Sequence, residues 1–293
     1  MWTAWSLIGV LVVGGLAYGA WAMHAIAHGT ALALLVALVP VAYLAAIALA
    51  TLAWFAISWL WRSPRPPGAR IGAPATVRLV WREFVTVAGS PFRMGVWWWT
   101  LRDPAPAPAA TPVLLLHGVL CNAGVWRSVL HELRARALGP VYTLSYGPPL
   151  ASIDTFAEQT AGKIDDILSA TGARAVVLVG HSMGGLVARA YVCRYGAAKI
   201  ARVVTLGTPH RGSVLAWIFF GVSLGQLRPG NAWLGALNAA PASVPITTIW
   251  SWHDSMVAPQ TSAELPGARS IAVTGVGHNA LLREPHVIEL LAN

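Results

Sequence analysis

Apolar positions fill the first sixty residues of this chain without the period of either an amphipathic helix or a strand. From Trp2 to Met23 the run WTAWSLIGVLVVGGLAYGAWAM is uncharged and long enough to cross a hydrocarbon core of ~30 Å as a helix. A polar break at His24, His28, Gly29 and Thr30 precedes a second apolar run, Ala31 to Trp61, with Pro40 inside it. The two runs predict a transmembrane helical hairpin over 1–61. Trp2, Trp5 and Trp21 bracket its first arm, and Trp54, Trp59 and Trp61 crowd the end of its second, as interfacial aromatic belts do. The start has neither the basic region nor the cleavage site of a secretory signal.

Residues 62–75 are rich in Pro, Gly and Arg and read as a linker. Beyond them, over 76–293, the pattern changes to short β-branched and aromatic runs alternating with helical ones. Strands are predicted at 77–87, 96–101, 112–116, 141–146, 175–179, 202–206, 246–252 and 269–273. Helices are predicted at 123–138, 152–170, 183–196 and 280–292. Alternation of this kind implies an α/β fold of βαβ units around a mostly parallel sheet. The first two strands have no helix between them and predict an antiparallel edge.

Charge sharpens the picture. Charged residues make up only 11 % of the chain, and none precedes Arg62. Five arginines (62, 65, 70, 78 and 82) then precede the first acid, Glu83. A basic run directly after an apolar segment places that side of the membrane in the cytoplasm. The expected location is therefore a bacterial-type inner membrane, with the large domain on the cytoplasmic face. The net charge of +9 comes without a nucleic-acid-binding motif, so nucleic acid is not an expected partner. Cys121 and Cys193 are too few for a disulfide framework.

The candidate chemistry centres on VVLVGHSMGGLVARA at 176–190, an apolar strand running into G-x-S-x-G and then a helix. That context makes the motif a nucleophile elbow, whose glycines permit a turn tight enough to present Ser182. A serine needs a base, and the base an orienting acid, in the chain order Ser, acid, His. Between Ser182 and His278 stand only two acids, Asp254 and Glu264. Asp254 directly follows the strand ITTIWSW, whereas Glu264 lies in a polar, proline-flanked stretch and reads as a surface charge.

Of His210, His253, His278 and His286, the choice is His278, in the glycine-bearing loop TGVGHN between a strand and the last helix. The developing oxyanion needs two N–H donors. They are expected from the backbone of Met183, after the nucleophile, and of Val119, in the loop LHGV. His117 and Gly118 are read as shaping that loop, and His181 as packing beside the elbow.

With these residues in place, the chain from about Pro112 onward resembles bacterial true lipases and related esterases of the α/β-hydrolase fold. The matching pieces are LLLHGVLCNAGVW, VGHSMGGLVAR, VVTLGTPHRGS, LRPGNAWLGALN, WHDSMVAPQTSAELPGA and VTGVGHNALL. The resemblance implies carboxyl-ester hydrolysis by Ser182, Asp254 and His278 through an acyl-enzyme, chemistry that needs no cofactor. Some family members bind structural calcium through aspartates, but the few acids here offer no such site, so no metal is expected. It leaves thioesterase and acyltransferase chemistry on the same triad open, as well as a non-catalytic membrane scaffold. Lipid or small apolar esters are the expected substrates, and the bilayer the expected partner. Residues 213–240 occupy the place of a lid or cap insertion, with Trp217, Phe219 and Phe220 as candidate pocket or lid residues.

Overall fold

The computed structural model describes residues 2–97, 101–109, 111–136, 139–241 and 243–292. The two apolar runs form helices α1 (Trp2–Ala27) and α2 (Leu32–Leu60), joined by a turn at Gly29. They touch where Tyr18 Oη donates to the Leu35 carbonyl, 2.9 Å away. Among the described residues, α2 is the one helix long and apolar enough to cross a membrane.

The first predicted strand is a helix. Residues Ala73–Gly95 form α3, so the linker ends at Gly72 and the antiparallel edge does not exist. The β-branched residues of VRLVWREFVTV favour a strand locally, but Leu79, Glu83 and Thr86 recur at helical spacing and are buried together. Tertiary packing overrides such propensities. Of the second predicted strand, Val96 caps α3, residues 98–100 lie outside the described residues, and Leu101 is not in a strand.

The remaining strands stand where the pattern put them, to within two residues. They are β1 (Val113–Leu116), β2 (Val141–Leu144), β3 (Val176–His181), β4 (Ile200–Leu206), β5 (Ile246–Ser251) and β6 (Arg269–Val273). All six pair in parallel, in the order β2-β1-β3-β4-β5-β6. Between them run α4 (Arg127–Ala135), α5 (Ile153–Thr171) and α6 (Met183–Tyr195), and α9 (Pro285–Ala292) closes the chain. The stretches predicted as single helices at 123–138 and 280–292 are each split. A 3-10 turn precedes the α-helix in both, at Ala123–Trp126 and Asn279–Arg283, and residues 137–138 lie outside the described residues.

The central strands β1, β3 and β4 are largely buried on both faces, as parallel strands covered by helices are, while β6 at the edge is mostly exposed. One core lies between the sheet and α5 and α6, around Phe156, Leu178 and Leu186. The other lies on the α4 and α9 face, around Trp126, Leu206 and Leu281. Between β4 and β5 the chain makes a 3-10 turn (Val214–Trp217) and two short helices, α7 (Val222–Gln226) and α8 (Ala232–Ala239).

The apolar N-terminal segment is joined to this body. Tyr43 Oη of α2 donates to the Ala88 carbonyl of α3 at 2.6 Å, and Gln260 Nε2 reaches the Ser58 carbonyl. In the linker, Ser63 N–H donates to Gln260 Oε1 and Arg65 Nε to the Trp252 carbonyl.

Candidate active site

Ser182 follows β3 and caps α6 with φ 56° and ψ −126°, a conformation that only strong surrounding constraints impose on a residue with a Cβ. The constraints are visible. Its N–H donates to the Leu206 carbonyl at 2.8 Å, and Thr208 Oγ1 donates to its carbonyl at 2.8 Å. A Cβ at Gly180 would lie 2.4 Å from the Gly184 carbonyl carbon, and one at Gly184 would lie 2.1 Å from the Leu116 carbonyl oxygen. The motif's glycines are thus required by close backbone approach, and the turn they permit leaves Ser182 at the carboxyl end of the sheet.

Asp254 and His278 are brought together from the loops after β5 and β6. The carboxylate and imidazole are both buried, with Oδ2 2.9 Å from Nδ1. Asp254 Oδ1 accepts from the backbone N–H groups of Met256 and Val257 at 2.8 and 2.7 Å, which fixes the carboxylate. Nδ1–H is therefore the donor to Oδ2, and Nε2 is the ring nitrogen left for a substrate proton. Burial opposes the imidazolium, but the charge and hydrogen bond of Asp254, aided by Glu83, hold the His278 pKa above its ordinary value. The pair stands against Gly207, where a Cβ would come within 3.2 Å of His278 Nδ1. In this conformation no hydrogen bond joins Ser182 Oγ to His278 among the described contacts.

The other histidines have different work. His210 is buried between Arg189 and Thr205, and burial drives its pKa far down. His253 accepts from Gly275 N–H, and burial lowers its pKa to about 4. His286 is exposed beside Glu289. Glu264 follows the short turn Gln260–Ala263 and bonds to none of these rings.

The loop after β1 faces the elbow. A Cβ at Gly118 would lie 3.0 Å from Ser182 Cβ, so only glycine lets the loop approach this closely. His117 holds the loop through Nδ1–H to the Gly118 carbonyl at 2.8 Å, while its own carbonyl accepts from Tyr146 Oη. Burial lowers its pKa to about 4. Met183 begins α6, and Val119 lines the cavity above Ser182. His181 does more than pack: Nε2–H donates to the His278 carbonyl at 3.1 Å, and burial brings its pKa to about 3.

That cavity, of about 260 Å³, is walled almost entirely by apolar groups. Phe219 of the predicted lid lines it, with Leu215 and Leu224. Trp217 and Phe220 do not; they are 59 % and 75 % exposed, Trp217 lying under the Arg228 guanidinium. The opposite wall holds two residues the sequence did not suggest, Ile47 and Trp54 of α2. A third unforeseen residue is Glu83 of α3, fully buried and bonded to the loops that carry Asp254 and His278. Its sequence signal is faint: one acid among apolar neighbours at a core-facing helical position. Among the described residues no cluster of His, Cys, Asp and Glu could hold a metal ion.

Comparison with known proteins agrees with the fold. Residues 142–240 match the model of the PGAP1-like alpha/beta domain. A triacylglycerol lipase of Pseudarthrobacter phenanthrenivorans is 49 % identical over 112 residues, 36 % of this chain and 35 % of that protein. A triacylglycerol lipase of Burkholderia plantarii is 33 % identical over 153 residues, 49 % of this chain and 40 % of that protein. The chain thus spans well under half the length of these relatives. The mature Bacillus licheniformis lipase BlEst2 superposes with a TM-score of 0.57 at 19 % identity, over 66 % of this chain and 96 % of that one.

Proposed function

We propose, from the premise that this chain belongs to the α/β-hydrolase lipase and esterase family, that it is a membrane-anchored serine hydrolase of carboxyl esters. Ser182 Oγ attacks the ester carbonyl while His278 Nε2 takes its proton, forming a tetrahedral oxyanion. The backbone N–H groups of Val119 and Met183 receive that oxyanion. His278 then protonates the leaving alcohol, and the acyl-enzyme forms. Water, deprotonated by the same nitrogen, attacks it and frees the acid and Ser182. Asp254 holds the ring in the Nδ1–H tautomer and stabilises the imidazolium.

The observation that carries this reading is the buried 2.9 Å pair of Asp254 and His278, together with the strained Ser182 lining an apolar cavity. An apolar cavity accepts an acyl chain, so the substrate is an ester with a fatty or otherwise apolar acyl group. The anchor is 1–61, with α2 as its main span, followed by the basic linker and the catalytic domain. The arginines from Arg62 onward favour the cytoplasmic face of a bacterial-type inner membrane. Residues 213–240 serve as the cap: Phe219 faces the acyl chain, while the exposed Trp217 and Phe220 face the membrane.

The test is fluorophosphonate labelling of the detergent-solubilised chain, with turnover of p-nitrophenyl esters of rising acyl length. Both signals are expected to vanish in Ser182→Ala. Folded wild-type protein that neither labels nor turns over would leave the fold as a scaffold. Ester products formed with an added alcohol, in place of free acid, would mark acyl transfer.

A further inference from the structure

Glu83 sits in the middle of α3, nearly two hundred residues from His278 in sequence, and its side chain is fully shielded from water. Taking a carboxylate out of water costs several kcal/mol unless hydrogen bonds replace the lost hydration. Here four of them do. Oε1 accepts from Asn279 N–H, Asn279 Nδ2 and Ser255 Oγ, each at 2.9 Å, and Oε2 accepts from Ala280 N–H at 2.9 Å. All four partners are donors, the set that suits a carboxylate.

Their positions matter more than their number. Ser255 directly follows Asp254, and Asn279 directly follows His278. Ser255 Oγ also accepts from the His278 N–H at 3.4 Å, so one carboxylate and one hydroxyl join the two loops. The fit is close: a Cβ at Gly277 would fall 2.5 Å from Glu83 Oε2. The neighbouring cation, Arg82, is engaged by Glu284, so it does not neutralise Glu83.

We propose that Glu83 is a positioning residue for ester hydrolysis, a buried brace from α3 that sets the distance and angle between Asp254 and His278. The proposal rests on the triad reading above. Three titratable groups face His278: Asp254 from the β5 loop, Glu83 from α3 and His181 from the end of β3. His181 is neutral at neutral pH, since burial holds its pKa near 3. Asp254 and Glu83 are thus the two anions that favour the imidazolium. Removing the Glu83 charge shifts His278 toward its neutral form and moves the acid limb of kcat/KM to lower pH.

The experiment compares wild-type chain with Glu83→Gln and Ser255→Ala in detergent micelles, normalised to folded protein. Glu83→Gln keeps the Oε1 acceptor but loses the charge and turns an N–H toward Ala280. The expected result is a fall in kcat of about ten- to a hundredfold with KM nearly unchanged, the scale of small misplacements in a catalytic site. The acid limb should move down with it.

A second readout needs no turnover: the deshielded proton shared by His278 Nδ1 and Asp254, followed by NMR against pH. In Glu83→Gln it should broaden or move upfield and titrate at lower pH. Ser255→Ala, which leaves three of the four donors in place, carries the same test should Glu83→Gln not fold, with a smaller loss. Wild-type kcat and an unmoved titration in a folded variant overturn the proposal, and Glu83 is then only a packing group. A wild-type chain without turnover whose His278 proton still responds to Glu83→Gln keeps the brace and removes the hydrolase reading.

Discussion

Asp254 uses one oxygen for two backbone N–H groups and the other for the His278 ring, so its orientation is set before any substrate arrives. Asp254→Asn puts an amide against those donors and disrupts the Nδ1–H tautomer that Ser182 requires. A loss in kcat on the order of 10³- to 10⁴-fold is expected from the general behaviour of such triads. The pH dependence should change too. With Asp254 present, His278 is held above the ordinary imidazole value of about 6.5, and the neutral, basic form exists only above that pKa. Without it burial dominates and lowers the pKa, so the residual activity should reach further into acid. Rate–pH profiles of the two enzymes check this, and an unshifted acid limb in Asp254→Asn would contradict it. At this scale the pairing of Asp254 with His278 was legible in the sequence. Only two acids follow Ser182 before His278, and Ser182, Asp254 and His278 each lie in the segment after a strand, where the direction of a parallel sheet places them at one edge. Glu83 was not legible, because its partners are a serine, an asparagine and backbone N–H groups reached only by tertiary folding.

Elements divide by what encodes them. The six strands of the sheet are short runs rich in β-branched and apolar residues, most buried on both faces and only β6 at the edge largely exposed, and sequence alone locates them to within two residues. Helix α3 carries a conflicting message, since its Val and Thr residues favour a strand while its buried positions follow a helical period. The outcome is decided by what it packs on, namely α2, the 3-10 turn at Ala123–Trp126 and the His278 loop. The elbow shows the opposite case, in which geometry dictates sequence. At Gly184 a methyl group would stand 2.1 Å from the Leu116 carbonyl oxygen and 2.7 Å from that of His117, both in backbone that cannot withdraw without breaking β1 pairing. Gly184→Ala is therefore expected to destabilise the fold by about 1–3 kcal/mol or more, as overpacking does. It should also pull the Val119 donor out of line. A denaturant titration that matches wild type would show that the loop after β1 yields more easily than its packing implies.

At the scale of the whole molecule, the apolar N-terminal helices pose a question that sequence alone does not answer: whether α2 only tethers the catalytic domain or forms part of it. A hydropathy pattern marks both ends of such a helix as span and cannot reveal which face meets protein. In the structure Thr51, Phe55 and Ser58 are buried while Leu49, Leu52 and Leu60 are exposed, so one face of α2 docks and the other is exposed. The docked face carries Ile47 and Trp54 into the wall of the cavity above Ser182. If α2 were a tether, a chain beginning at Arg62 would hydrolyse esters of every length as the full chain does. If it is a wall, that truncation opens the cavity to water along one side. Each acyl methylene left unburied then costs about 0.8 kcal/mol, roughly a fourfold loss in kcat/KM, so the deficit should grow with chain length. A chain beginning at Leu32 keeps the wall and should retain the full profile. Turnover of p-nitrophenyl acetate, butyrate, octanoate and palmitate by the three chains separates the cases. Equal chain-length profiles for the Leu32 and Arg62 forms would reduce α2 to an anchor. A slope that steepens only when α2 is removed would make this apolar helix part of the proposed acyl site.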